Sequence, residues 1–312
     1  GWQMRWSGLP AAIEEPHSET PYTTDRAMDF IRESGDQPWV LHLSYIKPHW
    51  PYVAPAPYHA MYGAADLLPP VRSEQERLDP HPVYAGFQRY TPSRNFSAPG
   101  VREAVIPAYM GLVTQIDHHL GRLFEFLRES GREQDTLVVF TSDHGDYLGD
   151  HWLGEKELFH DPVVRVPLIV VDPRTQADAT RGATCDALVE AIDVVPTILD
   201  ALGLPTPGEW LEGESLLPLV HGRPGATGKD MVVCENSYAF RDEVRLPTGQ
   251  PVDRCHMTML RTARWKYIHF DGLAPQLFEA RDATRVARAA RLDALADPRF
   301  LLRPELVELA AR

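Results

Sequence analysis

Two short and largely apolar runs, Trp39-Val40-Leu41-His42-Leu43-Ser44-Tyr45-Ile46 and Leu137-Val138-Val139-Phe140, flank a long segment with a different rhythm. Within that segment Tyr109, Met110, Val113, Ile116, Leu120, Leu123, Phe124 and Leu127 recur every three or four residues, the spacing of a helix with one buried face. Short continuous apolar runs suit strands covered on both faces. Strand, long helix and strand in this order predict a parallel sheet covered by helices, and hence an α/β chain.

The punctuation fits this order. A helix is expected over residues 24–34, capped by Thr23 or Thr24, and Gly35-Asp36-Gln37-Pro38 closes it before the first run. The prolines of Lys47-Pro48-His49-Trp50-Pro51 stop that run and leave a polar cluster at its C-terminal end. Residues 51–105, rich in Pro, Tyr and His, read as a long surface excursion, and Ser130-Gly131 ends the long helix. A third strand is expected over 166–171, then a helix over 193–202 with Pro196 in its first turn and Gly203 just past its end. Beyond Pro205 the runs shorten to 231–234, 257–260 and 265–270, which predicts a smaller α+β subdomain, and an Ala- and Arg-rich helix is expected over 283–312. The expected division is residues 1–204 as one core portion and 205–312 as the smaller subdomain with a helical C-terminal arm.

Charge and composition remove several classes. Apolar residues make up 44% and charged residues 24%, the balance of an ordinary globular protein. The net charge of -13 argues against a nucleic-acid partner. Cys185, Cys234 and Cys255 have no close spacing, so they read as buried or idle thiols. No apolar run approaches the roughly 20 residues of a spanning helix, and no membrane partner is expected. The opening Gly1-Trp2-Gln3-Met4-Arg5-Trp6 lacks the apolar stretch of a signal peptide. The expected location is therefore cytoplasmic. The chain opens without methionine in what reads as a loop, so a segment is expected upstream.

Chemistry concentrates at Thr141-Ser142-Asp143-His144-Gly145-Asp146, directly after the second run. In a regular strand Asp143 and His144 would face opposite ways, so both reach one ion only if the chain turns there, which Gly145 permits. Ligands in open α/β sheets collect beyond strand ends. A carboxylate oxygen with an imidazole nitrogen suits Mn, Ca, Mg or Zn. A salt-bridged Asp-His pair is the equally simple alternative.

The sequence continues Gly149-Asp150-His151-Trp152-Leu153-Gly154-Glu155-Lys156-Glu157-Leu158-Phe159-His160-Asp161-Pro162 and then Arg165-Val166-Pro167-Leu168-Ile169-Val170. This stretch resembles the C-terminal metal-ligand segment of sulfatases and phosphonate monoester hydrolases, in the alkaline-phosphatase superfamily. The resemblance implies an alkaline-phosphatase-like sheet flanked by helices. It also implies metal-binding roles for Asp143 and His144, and contact of Lys156 with the anionic group of the substrate. Lys47-Pro48-His49-Trp50-Pro51 resembles the family's second motif, an H-x-P after a strand, which implies that His49 assists departure of the alcohol; an imidazole suits that proton transfer. Lys47 reads as a solvated or helper charge. Ala56-Pro57-Tyr58-His59-Ala60-Met61-Tyr62 looks most like the phosphonate monoester hydrolase branch.

Further likeness runs through Asp193-Val194-Val195-Pro196, Gly213-Glu214-Ser215-Leu216, Lys266-Tyr267-Ile268 and Leu277-Phe278-Glu279, which read as packing landmarks. Asp117, His118 and His119 read as the polar face of the long helix. The family's first strand and its C-x-P-S-R or S-x-P-S-R segment, source of the formylglycine nucleophile, are not found. Tyr90-Thr91-Pro92-Ser93-Arg94 has tyrosine in the key place and reads as a coincidental loop. The mechanism implied for a complete enzyme is attack by a metal-activated formylglycine hydrate on sulfur or phosphorus, with Mn or Ca the leading metals, on a small anionic ester. The tail resembles the arm that family members use in homo-oligomers. Two other readings stay open: a phosphatase or phosphomutase with a two-metal cluster, and a degenerate non-catalytic scaffold.

Overall fold

A computed structural model of the chain describes Met4 and residues 7–279. Along the chain run α1 (Glu19–Glu33), α2 (Pro82–Arg89), α3 (Thr91–Ser97), α4 (Val101–Glu129), β1 (Val138–Thr141), α5 (Asp161–Val164) and β2 (Leu168–Val171). They are followed by α6 (Val194–Ala201), α7 (Leu217–Val220), β3 (Met231–Ser237), α8 (Asp242–Thr248), β4 (His256–Thr262), β5 (Trp265–Phe270) and β6 (Gln276–Glu279). Among the described residues no helix is long and apolar enough to cross a membrane. The helix expected over 283–312 lies outside the described residues. The chain divides into two compact units, one of residues up to Leu78 with Gln88–Gln134 and Tyr147–Glu155, the other of Asp79–Phe87, Asp135–Asp146 and the chain from Lys156.

The first unit is helical. On α4 the C-terminal part of the stripe packs as the spacing places it, with Leu123 and Leu127 meeting Ile31 of α1 and Met28, Trp39, Leu41 and Leu43 around them, whereas nearer the N-terminus Leu112, outside the stripe, joins Ala54 and Tyr58. Burying a side chain of this size contributes about 1.5–3 kcal/mol. The backbone of α4 comes so close to the preceding loop that a Cβ at Gly111 would lie 2.3 Å from the Tyr58 carbonyl oxygen. The helix starts at Val101, earlier than the periodicity alone shows, and runs through Pro107 to a Ser130 cap. Likewise α1 begins at Glu19, ahead of the threonines expected to cap it.

Several expectations are corrected here. Residues 39–46 are extended but have no ladder partner among the described residues. Trp39, Leu41, Leu43 and Tyr45 are half-buried while Val40, His42, Ser44 and Ile46 are exposed, so one face packs on helices and the other is open. The excursion over 51–105 is not all loop, since it holds α2, α3 and three short turns of 3-10 helix. The Thr91-Pro92-Ser93-Arg94 lookalike is helical in α3, and Ser93 is buried with its Oγ accepting the Gly154 N–H at 3.1 Å. Asp117 and His119 are buried, not a polar outer face. His119 Nε2 lies 2.6 Å from Glu15 Oε1, and its Nδ1 is 2.9 Å from Arg122. The arginine can only donate, so His119 carries its proton on Nε2.

In the second unit β1 and β2 pair antiparallel, with Val138 opposite Val171 and Thr141 opposite Leu168. The parallel arrangement expected from element order concerned residues 39–46 and 137–140, and residues 39–46 form no strand among the described residues. A parallel pair needs a long crossover, usually helical, and between β1 and β2 the only α-helix is the four-residue α5. From Met231 to Glu279 the chain forms an antiparallel sheet in the order β3, β4, β5, β6. Met257 and Met259 of β4 and Ile268 and Phe270 of β5 form its buried face. Ahead of α6, Asp193 is fully buried: it accepts from the Glu190 and Glu214 amides and pairs with Lys229. The three cysteines are free, with Cys185 exposed, Cys234 half-buried and only Cys255 buried.

Candidate functional site

The Asp143-His144 pair stands where β1 ends and the chain turns. Gly145 makes that turn possible through space rather than through its φ angle: a Cβ there would lie 1.9 Å from the Pro162 carbonyl oxygen of α5. Its N–H donates to the Val163 carbonyl at 2.8 Å. Ser142 Oγ donates to the His144 carbonyl at 2.8 Å, and the His144 amide donates to Asp143 Oδ1 at 2.9 Å. These bonds bring the two side chains together, with Asp143 exposed and His144 half-buried.

The protonation of His144 follows from its partners. Its Nδ1 lies 2.8 Å from the Gly145 carbonyl oxygen, which can only accept, so Nδ1 carries the proton. In the neutral ring Nε2 then presents a lone pair, and it stands 3.3 Å from Asp143 Oδ2. Two acceptors that face each other repel unless a cation or a proton lies between them. A small cation with bonds of about 2.0–2.2 Å to each would separate its ligands by roughly 3.0–3.5 Å, so the pair fits a shared divalent ion in both donor chemistry and spacing. A bond from Nδ1–H to a carbonyl is a usual way to hold a metal-binding imidazole. Among the described residues no group of three or more His, Cys, Asp or Glu is placed to hold a metal ion. The pair itself offers two donors, one carboxylate oxygen and one imidazole nitrogen.

Lys156 belongs to the same unit as Asp143 and His144 and is half-buried. The residues just before it, in the first unit, have an unusual backbone: Leu148, His151, Trp152 and Glu155 take φ of 47°, 54°, 61° and 62°. Left-handed conformations at non-glycine residues are costly and persist only when surroundings enforce them. Here Arg102 Nε donates to the Leu148 carbonyl at 3.0 Å, Asp150 Oδ1 accepts from the Val71 amide at 2.9 Å, and Trp152 Nε1 donates to the Ser73 carbonyl at 2.7 Å. Arg72 stacks 4.1 Å above the Trp152 ring.

His49 lies in the first unit, in the turn after the extended segment. Its Nδ1 is 2.9 Å from the Trp50 carbonyl oxygen, so it too carries a proton on Nδ1. The ring is tilted by 36° against Trp50 at 5.5 Å. Lys47 is half-buried, with Nζ donating to the Pro51 carbonyl at 3.1 Å; burial lowers its pKa, against the pull of Glu19.

One residue of the pair's surroundings escaped the sequence reading. Lys266, taken as a packing landmark, shares the inward face of β5 with Ile268 and Phe270 and is buried. It binds Asp161, the first residue of α5, and the Phe159 carbonyl. The signal was available: strand alternation puts residues 266, 268 and 270 on one face, and a lysine among core positions needs a buried partner.

Comparison with known proteins identifies the family. The sulfatase family model matches residues 14–204, and a model of the N-sulphoglucosamine sulphohydrolase C-terminal region matches residues 149–284. The chain belongs to the sulfatase family, within the alkaline-phosphatase superfamily that includes phosphonate monoester hydrolases. It is 35% identical over 284 residues to the multifunctional alkaline phosphatase superfamily protein PehA of Trinickia caryophylli, covering 86% of this chain and 55% of that protein. It is 30% identical to an arylsulfatase of Clostridium perfringens, covering 75% of this chain and 48% of the relative. Among solved structures, the phosphonate monoester hydrolase of Silicibacter pomeroyi aligns over 96% of this chain and 62% of its own, with 30% identity and a TM-score of 0.78. The enzyme of Agrobacterium radiobacter aligns over 97% of this chain and 62% of its own, with 28% identity and a TM-score of 0.79. The chain thus spans about half the length of the curated relatives it matches. Sulfatase-family members generally use a metal ion and formylglycine.

Proposed function

We propose that this chain supplies part of the active site of a metal-dependent hydrolase of sulfate or phosphonate monoesters. The observation that carries the reading is the pairing of His144 Nε2 with Asp143 Oδ2 at 3.3 Å while Nδ1–H is tied to a backbone carbonyl. Asp143 and His144 hold a divalent cation, with Mn or Ca preferred, and further ligands come from outside the described residues. When bound, the cation supplies Lewis-acid stabilisation of charge on the ester. Lys156 neutralises a non-bridging oxygen of the sulfuryl or phosphoryl group. His49, held through Nδ1–H, acts as the imidazolium: its Nε2–H passes to the departing alkoxide and the ring returns to the neutral form with its proton on Nδ1. The nucleophile is the formylglycine of the family, contributed by sequence other than these residues. The substrate is a small anionic ester, and the full-length protein acts as a cytoplasmic homo-oligomer.

Similarity to the phosphonate monoester hydrolases supports that branch, and the test keeps both esters. Hydrolysis of an aryl sulfate and of an aryl phosphonate ester is measured with the full-length protein, with Mn or Ca and after chelation. His144→Ala and Lys156→Ala are each expected to lower turnover by about 10²-fold or more, the scale of losing one charge-stabilising group, with the fold intact by circular dichroism. Unchanged rates in both variants would refute the assignment.

A further inference from the structure

Burial of a lysine on the core face of a sheet is costly unless its charge is matched, and Lys266 is matched by Asp161. Its Nζ donates to the Phe159 carbonyl at 2.9 Å and to Asp161 Oδ1, and Arg261 stands 3.7 Å from the same carboxylate oxygen. Burial acts to raise the Asp161 pKa, and the Lys266 and Arg261 charges more than offset it, so the carboxyl is held below its ordinary value. Burial lowers the Lys266 pKa against the pull of Asp161, so the two shifts act oppositely on the charged pair, and the contact itself ties β5 to the first residue of α5.

What α5 then touches is the turn that carries the metal-binding pair. The Val163 carbonyl accepts the Gly145 N–H at 2.8 Å, and the Pro162 carbonyl occupies the space a Cβ at Gly145 would need. The Gly145 carbonyl in turn accepts Nδ1–H of His144 at 2.8 Å. Each link is short and directional, and all lie in one compact unit. Displacement of α5 therefore moves Gly145, and with it the carbonyl that sets the ring orientation and tautomer of His144.

We propose that Lys266 is a positioning residue for His144, acting through Asp161, α5 and Gly145 to keep Nε2 aimed at the ion shared with Asp143. This rests on the reading of Asp143 and His144 as metal ligands. A lysine that only stabilised the sheet would support the melting temperature and leave the imidazole unaffected.

The experiment measures Mn²⁺ affinity of the full-length protein and the His144 tautomer by long-range ¹H–¹⁵N correlation, well below the melting temperature. Variants are Lys266→Met, Lys266→Gln and, as control, His144→Ala. Lys266→Met is expected to weaken Mn²⁺ binding by about 10–100-fold, the usual cost of removing an outer-shell partner, and to lose the Nδ1–H signature of His144. Lys266→Gln keeps a donor for the Phe159 carbonyl, so it is expected to lose less, and it carries the comparison if Lys266→Met does not fold. Wild-type Mn²⁺ affinity with an unchanged tautomer in a folded Lys266 variant, even one of lower melting temperature, would overturn the proposal. If His144→Ala itself binds Mn²⁺ as tightly as wild type, the ligand reading fails and the proposal falls with it.

Discussion

A single methyl group added at Gly145 tests whether the Asp143-His144 turn is held by close backbone contact. The new Cβ would lie 1.9 Å from the Pro162 carbonyl oxygen, 2.9 Å from its carbonyl carbon and 3.2 Å from Val163 Cα. Carbon and carbonyl oxygen normally approach to about 3.3–3.6 Å, so the two segments must part by more than an ångström. No rotamer relieves the clash, because every atom in the way is backbone. Overpacking of this kind costs about 1–3 kcal/mol. The movement also breaks the 2.8 Å bond from the Gly145 N–H to the Val163 carbonyl, worth about 1 kcal/mol net. Gly145→Ala is therefore expected to destabilise by about 2–4 kcal/mol in urea unfolding. Gly121→Ala in α4 is the internal control, since nothing lies within 4 Å of its Cβ position, and it should stabilise by roughly 0.5–1 kcal/mol through helix propensity. A Gly145→Ala protein as stable as wild type would refute the close-contact argument.

Two further perturbations address the second unit. Asp172, just past β2, is fully buried; burial acts to raise its pKa, but hydrogen bonds from Arg174 and His221 carry it down to about 2. The folded value lies below the unfolded value of about 3.9, so this contribution is present above that pH and is lost as pH falls toward 2. Between about pH 5 and pH 2, wild type should lose about 2 kcal/mol more stability than Asp172→Asn; parallel acid-unfolding curves would contradict this. Lys229 bonds both Glu190 and Asp193, with the Asp193 side chain almost wholly enclosed. Lys229→Met leaves buried carboxylates unpaired and is expected to cost about 3–5 kcal/mol, read as a large fall in melting temperature. A loss under about 1 kcal/mol would show that solvent reaches the pair.

The sequence by itself determined what repeats over short distances. The three-and-four spacing of Tyr109 to Leu127 specified α4, but of its buried face only Leu120, Leu123 and Leu127, and Pro196 and Gly203 bracketed α6. The runs around 231, 257 and 265 each became a strand. Gly145 marked the turn that lets Asp143 and His144 share one side. Tertiary structure decided whatever depends on a partner far along the chain. Residues 39–46 have the composition of a strand, but a strand is defined by its neighbour, and here one face meets helices instead. Strand direction depended on the path between β1 and β2, which apolar content does not encode. His119 and Lys266 carry polar groups that a sequence reading assigns to solvent or packing. Each is buried because a carboxylate, Glu15 or Asp161, arrives from more than a hundred residues away, and only the folded chain brings those charges together.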